Sequence, residues 1–264
     1  MLTEAAIQPA TTQFWSRDRL PAPFRMRFTK RCGALPSESQ NLALHVGDDP
    51  RRVRENRRTV FQACNLNDDA CVIPQQVHGS VCVRVDEDDR GRGAISHKDS
   101  LSGADALVTS VRGLPLMCFS ADCLLVVLGD PQARVLGLAH AGWRGLADGV
   151  LENTIECMRE AGANPQRIHA ASGPSIGPCC FEVGDDVVQA FGAQYVSKNS
   201  LGATTVDLRE AARDRLLNAG VASQRIGIET ACTSCREADF FSHRRATRQG
   251  LKTTGRMAMI AWME

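Results

Sequence analysis

Three side chains in this sequence could share one metal ion. His78 lies in Gln75-Gln76-Val77-His78-Gly79, Cys123 in Ser120-Ala121-Asp122-Cys123, and His140 in Ala139-His140-Ala141-Gly142-Trp143. Each stands at the edge of an apolar run, where a strand gives way to a turn. Two imidazoles and a thiolate form a reasonable zinc set. Three protein ligands leave the fourth tetrahedral position to water or substrate, which is how a catalytic zinc differs from a structural one. The separations of 45 and 17 residues match no short ligand signature. On residue type alone, buried structural side chains are the competing reading.

Other motifs are open to two uses. Gly142-Trp143-Arg144-Gly145 follows His140 and precedes a helical pattern, so its backbone N–H groups and the helix start could face a phosphate or a substrate oxygen. The same glycines would also serve a tight turn. The loop Gly173-Pro174-Ser175-Ile176-Gly177-Pro178 lacks the strand-to-helix GxGxxG form and reads as structural. Cys232-Thr233-Ser234-Cys235 has CxxC spacing, but no second pair completes a four-ligand site. The adjacent Cys179-Cys180 are not expected to chelate one ion together, so these four read as structural or free thiols. Arg244, Arg245, Arg248 and Arg256 could fork onto a phosphate or form a solvated basic face.

Some chemistries are excluded. There is no H-x-E with P-C-x-x-C, as zinc deaminases of nucleobases carry, and no H-E-x-x-H. Six histidines are too few for a full set of multicopper oxidase centres, which need on the order of ten imidazoles.

The elements that must position these residues are legible in part. Phe24, Met26 and Phe28 alternate as a half-buried strand, and Asp49-Pro50 before Val53, Val60 and Phe61 predicts a capped helix. Short apolar runs at 72–73, 81–85, 106–109, 115–119, 124–128 and 135–139 predict a mixed sheet, with 86–93 as a solvated loop. Leu146, Val150, Leu151, Ile155 and Met158 predict one helix closed by Gly162 and Pro165. Asp207 caps a helix carrying Leu208, Ala211, Ala212 and Leu216 and ended by Gly220, Val187-Val188 suggests a short helix, and 257–262 is the last strand. Residues 1–23, with Pro9, Pro21 and Pro23, read as a loosely ordered lead-in, and 24–264 as a single domain. The expected fold is α/β (α+β), three layers with a mixed central sheet flanked by helices.

Composition sets outer bounds. With 31 Lys+Arg against 30 Asp+Glu, the net charge of +1 favours neither nucleic acid nor an anionic membrane as partner. The apolar runs at 114–120 and 124–128 fall short of the ~20 residues that cross a bilayer. The first 20 residues hold Glu4, Gln8, Arg17, Asp18 and Arg19 and no apolar block with a cleavage signal, so a cytoplasmic protein is expected. Eleven cysteines in a chain of this kind point to reduced thiols or metal ligands over a disulfide framework.

The ordered set of motifs resembles the bacterial YfiH/YlmD proteins, also called DUF152 or laccase-domain, polyphenol-oxidase-like proteins. The matching pieces are Asn41-Leu42 through His45-Val46-Gly47-Asp48-Asp49-Pro50, Gln76-Val77-His78-Gly79, Ala104-Asp105-Ala106, Ala121-Asp122-Cys123, the 139–145 segment, Gly173 to Gly177, Asp207-Leu208 and Phe240-Phe241-Ser242-His243-Arg244-Arg245, over about 24–262. The resemblance implies an α/β domain with zinc, or alternatively copper, bound by His78, Cys123 and His140, which would be the catalytic groups. It implies phosphorolysis of adenosine, inosine or S-methyl-5'-thioadenosine to free base and ribose 1-phosphate, with adenosine deamination. Purine nucleosides and phosphate are then the partners, with Asn41, Arg31, Gly142, Arg144 and Arg256 around the substrate. The alternatives are copper-dependent phenol oxidation, editing of a cell-wall precursor, and a non-enzymatic zinc module in which Cys118 or Asp122 closes the ligand shell. One departure bears on substrate preference: the family's longer Gly-Gly-Val-Ser loop is replaced by the shorter 31–40 segment, which lacks that serine.

Overall fold

Strands that are apolar on both faces must be covered on both faces, and this chain meets that demand by stacking two sheets. The structure, a computed structural model, describes residues 14–16, 19–31 and 40–264. The first sheet has the order β1 (Phe14–Ser16), β2 (Phe24–Thr29), β12 (Met257–Met263), β5 (Leu116–Ser120), all antiparallel. The second has the order β11 (Ile226–Gly227), β8 (His169–Ser172), β6 (Leu124–Asp130), β7 (Val135–Ala141), β4 (Ala106–Thr109), β3 (Cys82–Val85) and is mixed. Its outer pairs β11/β8 and β3/β4 are parallel, the rest antiparallel. A small hairpin, β9 (Val196–Lys198) with β10 (Thr204–Val206), stands apart.

Side-chain alternation sorts the layers. Leu125 and Val127 of β6 face the layer between the sheets, where they meet Phe24, Met26 and Phe28 of β2. Leu124, Val126 and Leu128 face the helices α3 (Val150–Glu160) and α5 (Leu208–Asn218). On the first sheet, Met117, Phe119, Ile260 and Trp262 point outward to Val60 and Phe61 of α1 (Pro50–Gln62). The mixed α/β expectation therefore holds, with the expected strands shared between two sheets. Among the described residues no helix is long and apolar enough to cross a membrane.

Three local expectations change. The helix predicted from Leu146 onward is two, α2 (Trp143–Ala147) and α3, because Gly149 adopts a left-handed φ of 89° between them. Residues 72–73 contribute only an isolated bridge from Val72 to Leu116. Phe14–Ser16, inside the segment read as a lead-in, pairs with β2. Trp15 holds it there by donating to Glu229 at 3.1 Å and meeting Phe240 edge-on at 5.0 Å. The two remaining helices are α4 (Asp185–Phe191) and α6 (His243–Arg248). Asp49 and Asp207 cap α1 and α5 as expected.

The turn between β6 and β7 is fixed by a buried carboxylate. Asp130, fully buried, accepts from the backbone N–H groups of Gln132, Ala133 and Asn164 and pairs with Arg167 at 2.9 Å. Burial pushes its pKa up, but Arg167 and the three amides prevail and hold it below the usual carboxylate range. Asp130→Ala is expected to cost about 3 kcal/mol in urea unfolding, since it strands Arg167 and three donors. Because the folded-state pKa is depressed, this contribution is complete above about pH 4 and fades as pH falls toward the folded value. The difference between wild type and variant should therefore shrink only in acid.

Candidate metal centre

The β6/β7 hairpin explains the 17-residue interval. Leu124 pairs with Ala141 and Leu125 with His140, so Cys123, one residue before β6, lies beside the end of β7 that carries His140. His78 arrives from the loop before β3, whose partner β4 pairs with β7 through Ala106 and Ala139. All three ligand groups gather at one end of the second sheet, their donor atoms within 4.8 Å of one another. The Cys123 sulfur stands 3.9 Å from His78 Nε2, and the two imidazole centroids are 4.9 Å apart. His140 is buried, Cys123 half-buried and His78 exposed, so the group opens on one side.

Asp105, in the Ala104-Asp105-Ala106 motif, organises the centre. Fully buried just before β4, it accepts the backbone N–H groups of Val77, His78 and Gly79 at 3.0, 3.0 and 2.8 Å. His140 Nδ1 lies 2.7 Å from the same carboxylate. That contact leaves Nε2 of His140 as the ligand atom, the carboxylate–histidine pairing that orients metal-bound imidazoles. It also holds His78 at φ 63°, a left-handed conformation unusual for a residue with a Cβ. Asp122, at φ 97°, is held in the same manner: its carboxylate accepts from Thr233 Oγ1, Ser242 Oγ and the Arg244 N–H at 2.6, 2.9 and 2.7 Å.

The electrostatics favour a thiolate. Burial opposes ionisation of Cys123, but the charge of His140 and hydrogen bonds from both histidines bring its pKa down to about 6. Burial likewise opposes a charged His140, and Cys123 and Asp105 overcome it, raising its pKa to about 9. Gly142 is packed against all three ligands. A Cβ there would lie 3.0 Å from His78 Cδ2, 3.3 Å from Cys123 Sγ and 3.5 Å from His140 Cε1.

The remaining expected site residues fare unevenly. Asn41 is buried and its amide is used internally, donating to Ala43 O and Asp48 and accepting from the N–H groups of Ala43 and Arg256. All four of its hydrogen-bonding positions are thereby used, and it lines the cleft described below. Arg256 is half-buried with its charge near Cys123 and Asp122, and donates to Thr254 O and Gly255 O. Arg31 stacks over Phe241 at 5.5 Å, and its buried Nε has no partner among the described residues. Arg144 is exposed and lies over Trp143 at 4.2 Å. Residues 32–39, where the family departure falls, lie outside the described residues.

A cleft of about 420 Å³ is lined by Arg31, Asp48, Phe241, Ser242, Arg245 and Gly255 among others. None of the three ligands lines it, but its Ser242 donates to Asp122, the neighbour of Cys123. His45, read only as part of a motif, stacks against His97 at 4.8 Å. Partial enclosure and the charges of His97, Arg256 and Arg57 lower its pKa to about 4, so it is neutral at pH 7.

Two expectations are corrected. Asp122 and Cys118 do not close the ligand shell: the first is committed to Thr233, Ser242 and Arg244, and the second is packed between the sheets. Arg244, Arg245 and Arg248 form no phosphate fork, because Cys180 O and Glu182 O, Thr233 O and Ser234 O, and the Glu182 carboxylate engage them respectively. Cys179, Cys180, Cys232 and Cys235, expected as structural or free thiols, are free thiols whose sulfurs converge within 4.8 Å of one another.

Two stacked sheets, one antiparallel and one mixed, with an open two-histidine, one-cysteine group at a strand end define an α/β protein with a candidate metal centre. The family model described as multi-copper polyphenol oxidoreductase laccase matches residues 25–264, and the chain belongs to that family. Among its relatives, the purine nucleoside phosphorylase YlmD of Geobacillus stearothermophilus is 40% identical over 231 residues, covering 84% of this chain and 82% of the relative. Adenosine deaminase RL5, from an unknown prokaryotic organism, is 38% identical over 212 residues, covering 78% and 81%. The crystal structure of YlmD from Geobacillus stearothermophilus superposes with a TM-score of 0.87 at 35% identity, covering 96% of this chain and 99% of that one.

Asp105→Asn tests the organising role. An amide cannot accept all four hydrogen bonds, so metal affinity measured by chelator competition should fall about 10–100-fold while the chain stays folded. Unchanged affinity would show that the histidines are held by something else.

Proposed function

We propose that this chain is a zinc-dependent purine nucleoside phosphorylase, acting on adenosine, inosine and S-methyl-5'-thioadenosine, that also deaminates adenosine. The observation that carries the reading is the convergence of His78, Cys123 and His140 with one side open, in a chain whose relatives are named for these two activities. The donor set fits zinc: tetrahedral Zn–N and Zn–S bonds place such donors about 3.3–3.6 Å apart, close to the 3.9 Å between Cys123 Sγ and His78 Nε2. A bound zinc would supply a Lewis acid and lower the pKa of a coordinated water.

The chain's own groups supply the rest. Asp105 holds both histidines in the ligating orientation, so little reorganisation is needed as substrate enters. Arg256, with its charge near Cys123, and Arg31, which lines the cleft and whose buried Nε has no partner among the described residues, are the cations that would hold phosphate. In phosphorolysis a phosphate oxygen attacks the anomeric carbon, the glycosidic C–N bond breaks, and the purine leaves with its bonding electrons and takes up a proton. In deamination water adds at the amino-bearing ring carbon and ammonia departs. The cleft's volume suits a nucleoside-sized ligand.

Copper-dependent phenol oxidation is the second reading, favoured by the family's description. Its difficulty is the shortage of imidazoles: six histidines serve the whole chain.

Adenosine with phosphate should give adenine and ribose 1-phosphate by chromatography, and adenosine without phosphate should give inosine and ammonia. Cys123→Ala should lower both rates at least ~100-fold, because ligand loss removes the centre. Absence of product from all three nucleosides would reject the phosphorylase reading. Oxygen uptake with phenols in the copper-loaded protein would support the second.

A further inference from the structure

We propose that Cys179, Cys180, Cys232 and Cys235 hold a second zinc ion in a closed, structural site. The four sulfurs lie within 4.8 Å of one another, with Cys235 at 3.6 Å from Cys179 and 3.4 Å from Cys180. Zn–S bonds of about 2.3 Å in a tetrahedron put sulfurs about 3.8 Å apart. A disulfide requires about 2.05 Å and joins sulfurs only in pairs. Four sulfurs converging on one another fit a shared central ion better than two bonds.

The surroundings of Cys232 fit a thiolate. The Gly177 N–H points at Cys232 Sγ at 3.3 Å, and the Cys235 N–H is a second donor to that sulfur. Hydrogen bonds from backbone amides stabilise a sulfur that carries negative charge. Four thiolates on a divalent ion leave two negative charges, and basic side chains ring the cluster. Arg244 binds Cys180 O, Arg245 binds Thr233 O and Ser234 O, and Arg248 faces Cys180. Cys179 and Cys235 are exposed, so burial of small apolar side chains does not account for the grouping. Tetrahedral four-sulfur coordination selects zinc over harder or octahedral ions. No oxidant is involved: on binding, each S–H gives its proton to solvent and its sulfur lone pair to the ion.

The site has a structural purpose. It would join the turn at 178–180 to the turn at 233–235, which are linked otherwise by the Ser175–Cys232 bridge and the arginines. Thr233, between Cys232 and Cys235, donates to Asp122 at 2.6 Å, and Asp122 sets the conformation next to Cys123. The second ion would thus clamp the loop that supports the first centre's cysteine.

Native mass spectrometry and elemental analysis of the full-length protein should find two zinc ions per chain. Cys123→Ser should retain one, held by the four cysteines, and Cys179→Ser with Cys235→Ser should retain the other. This separates the proposal from the reading of the first centre, whose failure would leave the second ion in place. If the double variant does not fold, thiol labelling of the native wild type decides. Exposed Cys179 and Cys235 should resist labelling until a chelator removes zinc, then react as one ion is released. Overturning results are one zinc per chain with none left in Cys123→Ser, labelling of both cysteines without zinc release, iron in place of zinc, or a mass lowered by the two hydrogens of each disulfide.

Discussion

One buried carboxylate, that of Asp105, sets the centre. Four donors converge on it, three from consecutive backbone amides and one from an imidazole. A carboxylate in a low-dielectric site is costly unless its lone pairs are filled, and filling them fixes every donor's position. The His78 loop cannot relax out of its left-handed turn without stranding this charge. Nor can the His140 ring rotate without losing its partner. The pKa of Asp105 records the balance: burial pushes it up, and His140 with the Gly79 and Val77 amides brings it below the ordinary carboxylate value.

Asp122 repeats the device on the cysteine side. Its donors come from Thr233, Ser242 and Arg244, in a segment more than a hundred residues further along the chain. Two carboxylates thus hold two left-handed residues, each at or beside a ligand, against strain of order 1–3 kcal/mol per residue. Strain of this kind survives only where surrounding bonds over-determine the geometry, and here those bonds are identified. The glycine between the ligands serves the same end by omission, since any side chain at 142 would occupy ligand space.

Much of this was legible in the sequence where the signal is local. Asp49 with Pro50, and Asp207 before an apolar stripe, specify helix starts within a few residues, and α1 and α5 begin there. The apolar runs gave the strands, but an apolar run buried on both faces carries no mark of which sheet it joins, so β5 and β12 could not be separated from β6 and β7. The helix after His140 was read through Gly149 because hydrophobic spacing continues across it, although the backbone does not. The three ligands were found by residue type at strand edges. Nothing in the sequence marks Asp105 or Asp122 as an orienting group, since acids beside apolar strands are common and only the fold shows four donors on one of them. The convergence of the four cysteines is hidden for the same reason. A vicinal pair and a CxxC about 50 residues apart meet only because β8, β11 and the loops after them bring 175 against 232.

The two sulfur-containing groups differ in charge, and that difference divides their roles. A divalent ion bound by one thiolate and two neutral imidazoles would carry a positive charge that the Asp105 carboxylate offsets in part, and its open side would suit an anionic or lone-pair-bearing reactant. Four thiolates would instead leave a negative charge for arginines to offset and no vacant position. The family description emphasises copper oxidation, yet a positive, open centre beside Arg256 and a cleft carrying Arg31 is built to gather anions. Phosphate is such an anion, and phosphorolysis needs it held while a neutral purine departs. On this physical ground the proposed reading, group transfer to phosphate, accords with the two arginines better than electron transfer to oxygen does.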